Sequence, residues 1–349
     1  MNKNTIIGIV VLVVVIIGGY FLLSKPVSSE HIKIGVITDL TGPAAYWGES
    51  TREGALLAIN EMKKDGANIE VLFEDYQLDA SKAVSAAQKL VNFDNVDAIY
   101  AEFNPAAISV SSFLKGKNVL YVYDAAVTSP LEDLPYAFKT YLDYQAGCRV
   151  IAEKFKNEGI NEIGFLKVNL EFGDLCLAGI KEIYGDSVIS EGYNLGDNDL
   201  RTQMLKIKSK GAGAVINVGF EGDTYNTLKI IHDLKYKIFY GTVDDTITDK
   251  VKKDFSIELA GGHGFGFIKV DPIFSEKLNS FLEDRKLATE YAAALAYTHV
   301  RQMGKALIQC NKEISCVVEK LNEAKSDQTI GFEKFENRIG VFEMSVKDY

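Results

Sequence analysis

The chain is short of the residues that most often do chemistry. It has four histidines, four cysteines and one tryptophan, and His31, His232, His263 and His299 stand far apart in unlike contexts. No G-x-S-x-G elbow, Walker loop or H-E-x-x-H pair occurs, which leaves no recognised nucleophile, phosphate cradle or zinc-protease set. The stretch Gly262-His-Gly-Phe-Gly-Phe267 resembles a phosphate loop only until its surroundings are read. It lacks the immediately following helix and the downstream acid of a dinucleotide site, so it is expected to be a strand whose small residues permit close packing, with His263 a strand residue rather than a ligand contact. The paired acids Asp244-Asp245 and Glu74-Asp75 read as surface carboxylates. We therefore expect no catalytic residues, no metal and no cofactor.

Basic charge is also scarce. Lys3 and Lys25 are the only charged groups among the first 29 residues, so 36 of the 38 basic side chains face 48 acidic ones in the rest of the chain, a formal charge of −12. That excess argues against nucleic acid or an anionic lipid surface as a partner. Cys310 and Cys316 bracket a short Asn-Lys-Glu-Ile-Ser stretch compatible with a local disulfide, whereas Cys148 and Cys176 have no such proximity; four free thiols remain the alternative.

What is present begins with an uncharged apolar run, Thr5 to Leu23. At about 1.5 Å per residue it reaches across a bilayer core of about 30 Å. It lacks the short apolar region and small-residue cleavage site of an ordinary signal, so residues 1–29 are expected to form a retained transmembrane anchor and linker; a long cleaved signal is the alternative.

From Ile32 onward, short β-branched runs alternate with helical periodicity, which implies parallel strands covered by helices on both faces. The first series runs from strand Ile32 to Thr38 through helix Ser50 to Lys64, strand Ile69 to Glu74, helix Ser81 to Phe93, strand Ala98 to Ala101 and helix Ala107 to Leu114 to strand Val119 to Tyr123. A second series starts near Tyr144 and ends at the glycine-rich strand Ala260 to Phe267. The helical stretches Ile273 to Asp284, Thr289 to Gln309 and Ser315 to Glu323 come after it and fit best as cover for the first lobe. Ligands of such sheets collect where strands end and helices begin. One of those loops, Asp39 to Glu49, carries the lone Trp47, with Gly42-Pro43 enforcing a turn and Gly48 freeing the backbone. Trp47 there is either a plate for a ligand or a pin for its own loop.

Several stretches in register then resemble the extracytoplasmic solute receptors of ABC transporters, those similar to leucine/isoleucine/valine-binding proteins. They are Ile32 to Glu49, Asp79 to Leu90, Ala126 to Pro130, Phe138 to Asp143, Glu171 to Asp174 and Tyr291 to Tyr297. The resemblance implies the periplasmic binding protein type I fold, an α/β fold of two doubly wound parallel-sheet lobes joined by three crossovers. Lobe I is expected at 30–142 plus 272–328 and lobe II at 143–271 plus 329–349. Carried over residue by residue, Trp47 matches the aromatic that packs on the ligand's apolar part, and Ala126 and Thr128 match head-group positions. Pro105 stands where amino-acid binders usually have a carboxylate-binding serine, and Phe172 and Phe220 replace tyrosines. Asp244 is the acid expected to pair with a ligand ammonium, and Ala106 and Tyr144 complete the expected ligand-binding set. Leu78 and Asn104 occupy the positions of the family's first-lobe disulfide, so that pair is absent.

The resemblance implies a membrane-tethered receptor outside the cytoplasm that delivers a small, partly apolar solute to an ABC permease. An apolar amino acid, an amide or an aromatic acid would suit a cleft that has lost polar groups at Pro105, Phe172 and Phe220. A sensory receptor without transport is the rival, and is expected to continue into a signalling domain beyond Tyr349. A hydrolase needs a nucleophile and base that the sequence does not offer.

Overall fold

The computed structural model describes residues 30–194, 196–267, 269–325 and 329–349. The expected membrane anchor, Thr5 to Leu23, lies outside them, and among the described residues no helix is long and apolar enough to cross a membrane.

Two sheets organise the chain. The first holds β1 (Ile32–Thr38), β2 (Ile69–Asp75), β3 (Ala98–Glu102), β4 (Leu120–Asp124), β5 (Ala137–Lys139), β11 (Phe332–Glu336) and β12 (Ile339–Phe342), in the order β11-β12-β5-β4-β3-β1-β2. The second holds β6 (Ile163–Val168), β7 (Ile189–Tyr193), β8 (Ala214–Val218), β9 (Phe239–Val243), β10 (His263–Phe267) and β13 (Met344–Asp348), in the order β13-β10-β9-β8-β6-β7. Each sheet therefore has its first strand between its second and third, the doubly wound arrangement that leaves a crevice at the carboxyl ends of the central strands. Those strands are Ile-, Val- and Ala-rich and buried along nearly their whole length, because helices cover both faces. The late strands break the parallel pattern: β11 with β12 and β13 with β10 pair antiparallel.

The chain passes between the sheets after β5, after β10 and between β12 and β13. The expected lobe division thus changes at its end. Of 329–349 only Met344–Asp348 joins the second sheet, while β11 and β12 extend the first. The longer helices begin with α1 (Ala45–Lys64), α2 (Ala80–Asn92), α3 (Phe103–Leu114), α4 (Tyr144–Asn157), α5 (Glu171–Tyr184) and α6 (Arg201–Ser209). Further on come α7 (Glu221–Asp233), α8 (Pro272–Leu282), α9 (Glu290–Gln309) and α10 (Ile314–Asn322). Helix α9 lies against α1 closely enough that a Cβ on Gly54 would sit 2.1 Å from the Ala293 carbonyl oxygen. Ion pairs Arg285–Glu53 at 2.9 Å and Lys277–Glu61 at 3.0 Å join the same layer, so the late helices do cover the first lobe.

Two disulfides staple the fold. Cys310–Cys316 closes the turn between α9 and α10, and Cys148–Cys176 joins α4 to α5. The second pair corrects the expectation from spacing: the two helices pack side by side, which brings Cα atoms 28 residues apart in sequence to 5.2 Å. His263 is a strand residue as expected, and its ring nitrogens meet Asp348 at 2.8 Å and Glu158 at 2.9 Å.

Candidate functional site

The carboxyl ends of β1, β3 and β4 and the loops after β6, β8 and β9 face one cleft between the lobes, with about 600 Å³ of empty space including the open solvent at its mouth. At β1 the chain turns on Asp39, whose carboxylate accepts the backbone N–H groups of Gly42 and Ala44, both at 2.6 Å. Asp75 at the end of β2 accepts the N–H of Leu40 at 2.9 Å and steadies the same loop. These bonds close the turn by Ala44, so α1 begins at Ala45, five residues before the expected Ser50. Trp47 consequently stands on the first turn of a helix and not in a loop. Gly48 is helical too, and its role is space: a Cβ there would lie 2.0 Å from the Asp39 carbonyl oxygen.

Trp47 is 2% exposed and its ring forms one wall of the cleft, beside Phe103 and Tyr141 at centroid distances of 6.2 and 6.0 Å. Its Nε1–H donates to Glu102 Oε1 at 2.9 Å. The same buried carboxyl accepts Thr51 Oγ1 at 2.5 Å and Thr38 Oγ1. Burial pushes Glu102 up to about 7, against the pull of these donors. The second lobe supplies the opposite wall, where Phe220 meets Phe103 edge-on at 5.3 Å, with Phe172 next to it at 6.2 Å. Tyr144 closes the back, edge-on to Phe172 at 5.4 Å.

The polar groups are few. Asn104, in the first turn of α3, uses Oδ1 to accept the Ala126 N–H at 3.1 Å, which identifies its other atom as the NH2; that Nδ2 is buried and has no partner. Asp124, at the end of β4 and 3% exposed, takes a hydrogen bond from Tyr100 OH at 3.3 Å through Oδ2, while Oδ1 has no partner. Burial and the neighbouring Glu102 hold its carboxyl well above the usual range. From the second lobe, Asp245 accepts Tyr141 OH at 2.5 Å, and burial pushes it up to about 7. Among the described residues lining the cleft there is no lysine, arginine or histidine.

Of the residues expected from sequence, the cleft brings together Trp47, Pro105, Ala126, Tyr144, Phe172 and Phe220. Ala106 is buried within α3, and Thr128 is exposed at an adjoining depression beside Leu142 and Phe342, which shares Ala126 and Tyr141 with the cleft. Asp244 is turned away: it accepts Tyr349 OH at 2.7 Å and Tyr291 OH at 3.2 Å and pairs with Lys347. Its neighbour Asp245 faces the cleft instead, because a short 3-10 turn over Asp244–Thr246 separates the two side chains. Both acids are buried, not surface carboxylates as expected. Sequence reading missed Asp124, Asn104, Phe103, Tyr46 and Tyr141. Asp124 was within reach, since it directly follows the expected strand Val119 to Tyr123, where ligands of such sheets collect; Asn104 and Phe103 were hidden because α3 starts four residues before the periodicity suggests.

Two doubly wound lobes around an aromatic cleft define a two-lobe ligand-binding protein. Residues 31–262 match the family model described as periplasmic binding protein, more than half of the chain, and the chain belongs to that family. The leucine-, isoleucine-, valine-, threonine- and alanine-binding protein of Pseudomonas aeruginosa is 28% identical over 212 residues, 56% of this chain and 56% of that protein. The chain thus spans about half the length of the curated relatives it matches. A solute-binding protein of an ABC transporter from Rhodopseudomonas palustris, solved with 4-hydroxybenzoate, superimposes with a TM-score of 0.81 at 19% identity, covering 91% of this chain and 93% of that one. A branched-chain amino acid transporter substrate-binding protein from Streptococcus pneumoniae, solved with isoleucine, gives 0.79 at 17%, covering 91% and 95%.

Proposed function

We propose that this chain is the solute receptor of an ABC importer and closes its two lobes on a small ligand with a substantial apolar body. The observation that carries this reading is the aromatic cleft itself, walled by Trp47 and Phe103 from one lobe and Phe172 and Phe220 from the other, with unpartnered polar atoms on Asn104 and Asp124 at its floor. Apolar walls with a few convergent polar groups suit a small organic molecule. Family membership supports the receptor role, and relatives solved with isoleucine and with 4-hydroxybenzoate support an aliphatic or aromatic body. Titration calorimetry of the full chain against apolar amino acids, amides, aromatic acids and amines tests it. Saturable binding of one class is the expected result; binding confined to strongly polar sugars overturns the apolar assignment.

The two disulfides support a location outside the reducing cytoplasm. We read Thr5 to Leu23 as a retained anchor that holds the receptor at the outer face of the membrane, beside its permease. Mass spectrometry of the protein purified from membranes is expected to find Met1 or Asn2 at the N-terminus; a mature start near Ser28 refutes retention.

A further inference from the structure

The walls of the cleft speak for the ligand's body, and its floor speaks for the head group. The two acids that reach the cleft come from opposite lobes, Asp124 from the end of β4 and Asp245 from the turn after β9, and both are more than nine-tenths buried. No basic side chain among the described lining residues balances them. The nearest cations are committed elsewhere. Lys139 donates to the Tyr141 carbonyl at 2.7 Å and does not line the cleft, and Lys347 pairs with Asp244.

A carboxylate would be badly served here. Pro105 has no N–H to give it, the Ala126 N–H is already taken by Asn104 Oδ1, and Thr128 is outside the cleft. Among the side chains, Asn104 Nδ2 and tyrosine hydroxyls are the neutral donors left, and Tyr141 has committed its hydroxyl to Asp245. An anion between the two acids would also make ionising either of them costlier, in a poorly hydrated space where charges interact strongly. An ammonium reverses each term: it supplies the donor that Asp124 Oδ1 lacks and gives both acids a counter-charge.

We propose that the solute is an organic amine without a carboxylate, its ammonium held between Asp124 and Asp245 and its apolar body lying between Trp47 and Phe220. This rests on the reading of the chain as a solute receptor. The raised proton affinities of Asp124 and Asp245 agree with it, since burial outweighs the pull of the lysine near each acid, Lys139 for Asp124 and Lys347 for Asp245, and a cation entering the cleft would offset that burial.

The test keeps the body constant and varies the head. Isoamylamine, leucine, isovaleramide and isovalerate, with the aromatic set phenethylamine, phenylalanine, phenylacetamide and phenylacetate, are titrated into the full chain in detergent. The amine of at least one set is expected to bind tightest, by about a hundredfold over its carboxylate, the scale set by desolvated charge pairs. Asp124→Asn is expected to lower amine affinity by about tenfold or more while leaving the amide within a few-fold. Should that variant not fold, Asp245→Asn carries the same comparison. An amino acid, amide or acid that binds tighter than the amine of its own set overturns the head-group assignment and leaves the receptor reading standing. Silence from all of them, and from the wider panel above, overturns both.

Discussion

Trp47→Ala is expected to cost the folded chain about 3–5 kcal/mol and to weaken ligand binding by about a hundredfold. Both effects follow from one position. The indole is buried on the first turn of α1, so its removal opens a cavity the size of an aromatic side chain. It also takes from Glu102 one of its three side-chain donors, leaving an oxygen in a buried site with only Thr51 to satisfy it. The ring faces the cleft as well, so the same deletion removes an apolar wall. Ligand plate and structural pin were alternatives when the residue was placed in a loop; a helix start that faces both the core and the cleft leaves room for both roles. Trp47→Phe separates them. It keeps a ring against Phe103 and loses the N–H, so stability should fall by about 1–3 kcal/mol while affinity stays within several-fold. Urea unfolding and calorimetry on the same samples read the two numbers. Equal affinity for Trp47→Ala and wild type, measured where both are folded, would leave Trp47 a pin only.

The strands were legible because they are buried on both faces: Ile32–Thr38 and Ala214–Val218 fall where their apolar, β-branched runs put them. Helix starts at the cleft were less legible. Helices α1 and α3 begin five and four residues before the apolar periodicity does, and at both the cap residue, Ala44 or Glu102, makes no side-chain cap bond. A periodic pattern begins where a helix starts to pack on its sheet, whereas the first turn of these helices packs on the cleft and follows the cleft's chemistry. Polar Ser50 and Thr51 looked like a helix opening, yet both are buried, and Thr51 serves Glu102. The Asp244 and Asp245 exchange has the same origin: one residue of a tight turn decides which acid enters the cleft, and spacing carries no information at that scale. Cys148–Cys176 was beyond spacing for a different reason, because it depends on α4 and α5 being neighbours in space. The short β5 and the charged edge strand β11 carry too few apolar residues to announce themselves.

Glu102 is where two effects on a buried acid compete most openly. Its three side-chain donors favour the ionised carboxylate, while complete burial favours the neutral acid, and burial wins to place it at about 7 against an ordinary 4.5. A carboxyl whose folded-state pKa is raised binds its proton more tightly when folded than when unfolded. Its contribution to stability is therefore complete below about 4.5 and is lost as pH rises through about 7. The loss is on the order of 3 kcal/mol. Glu102→Gln isolates it from the other titrating groups. The amide is close in shape to the protonated acid, its oxygen can keep Trp47 and Thr51, and its NH2 can donate to Thr38 Oγ1, which accepts once its own proton turns away. At pH 5 wild type and variant should differ little. At pH 8 the variant should be the more stable, by about 3 kcal/mol, in urea unfolding at both pH values. A difference that does not change with pH would mean that the three donors hold Glu102 ionised throughout, and that the floor of the cleft carries a fixed negative charge behind Trp47.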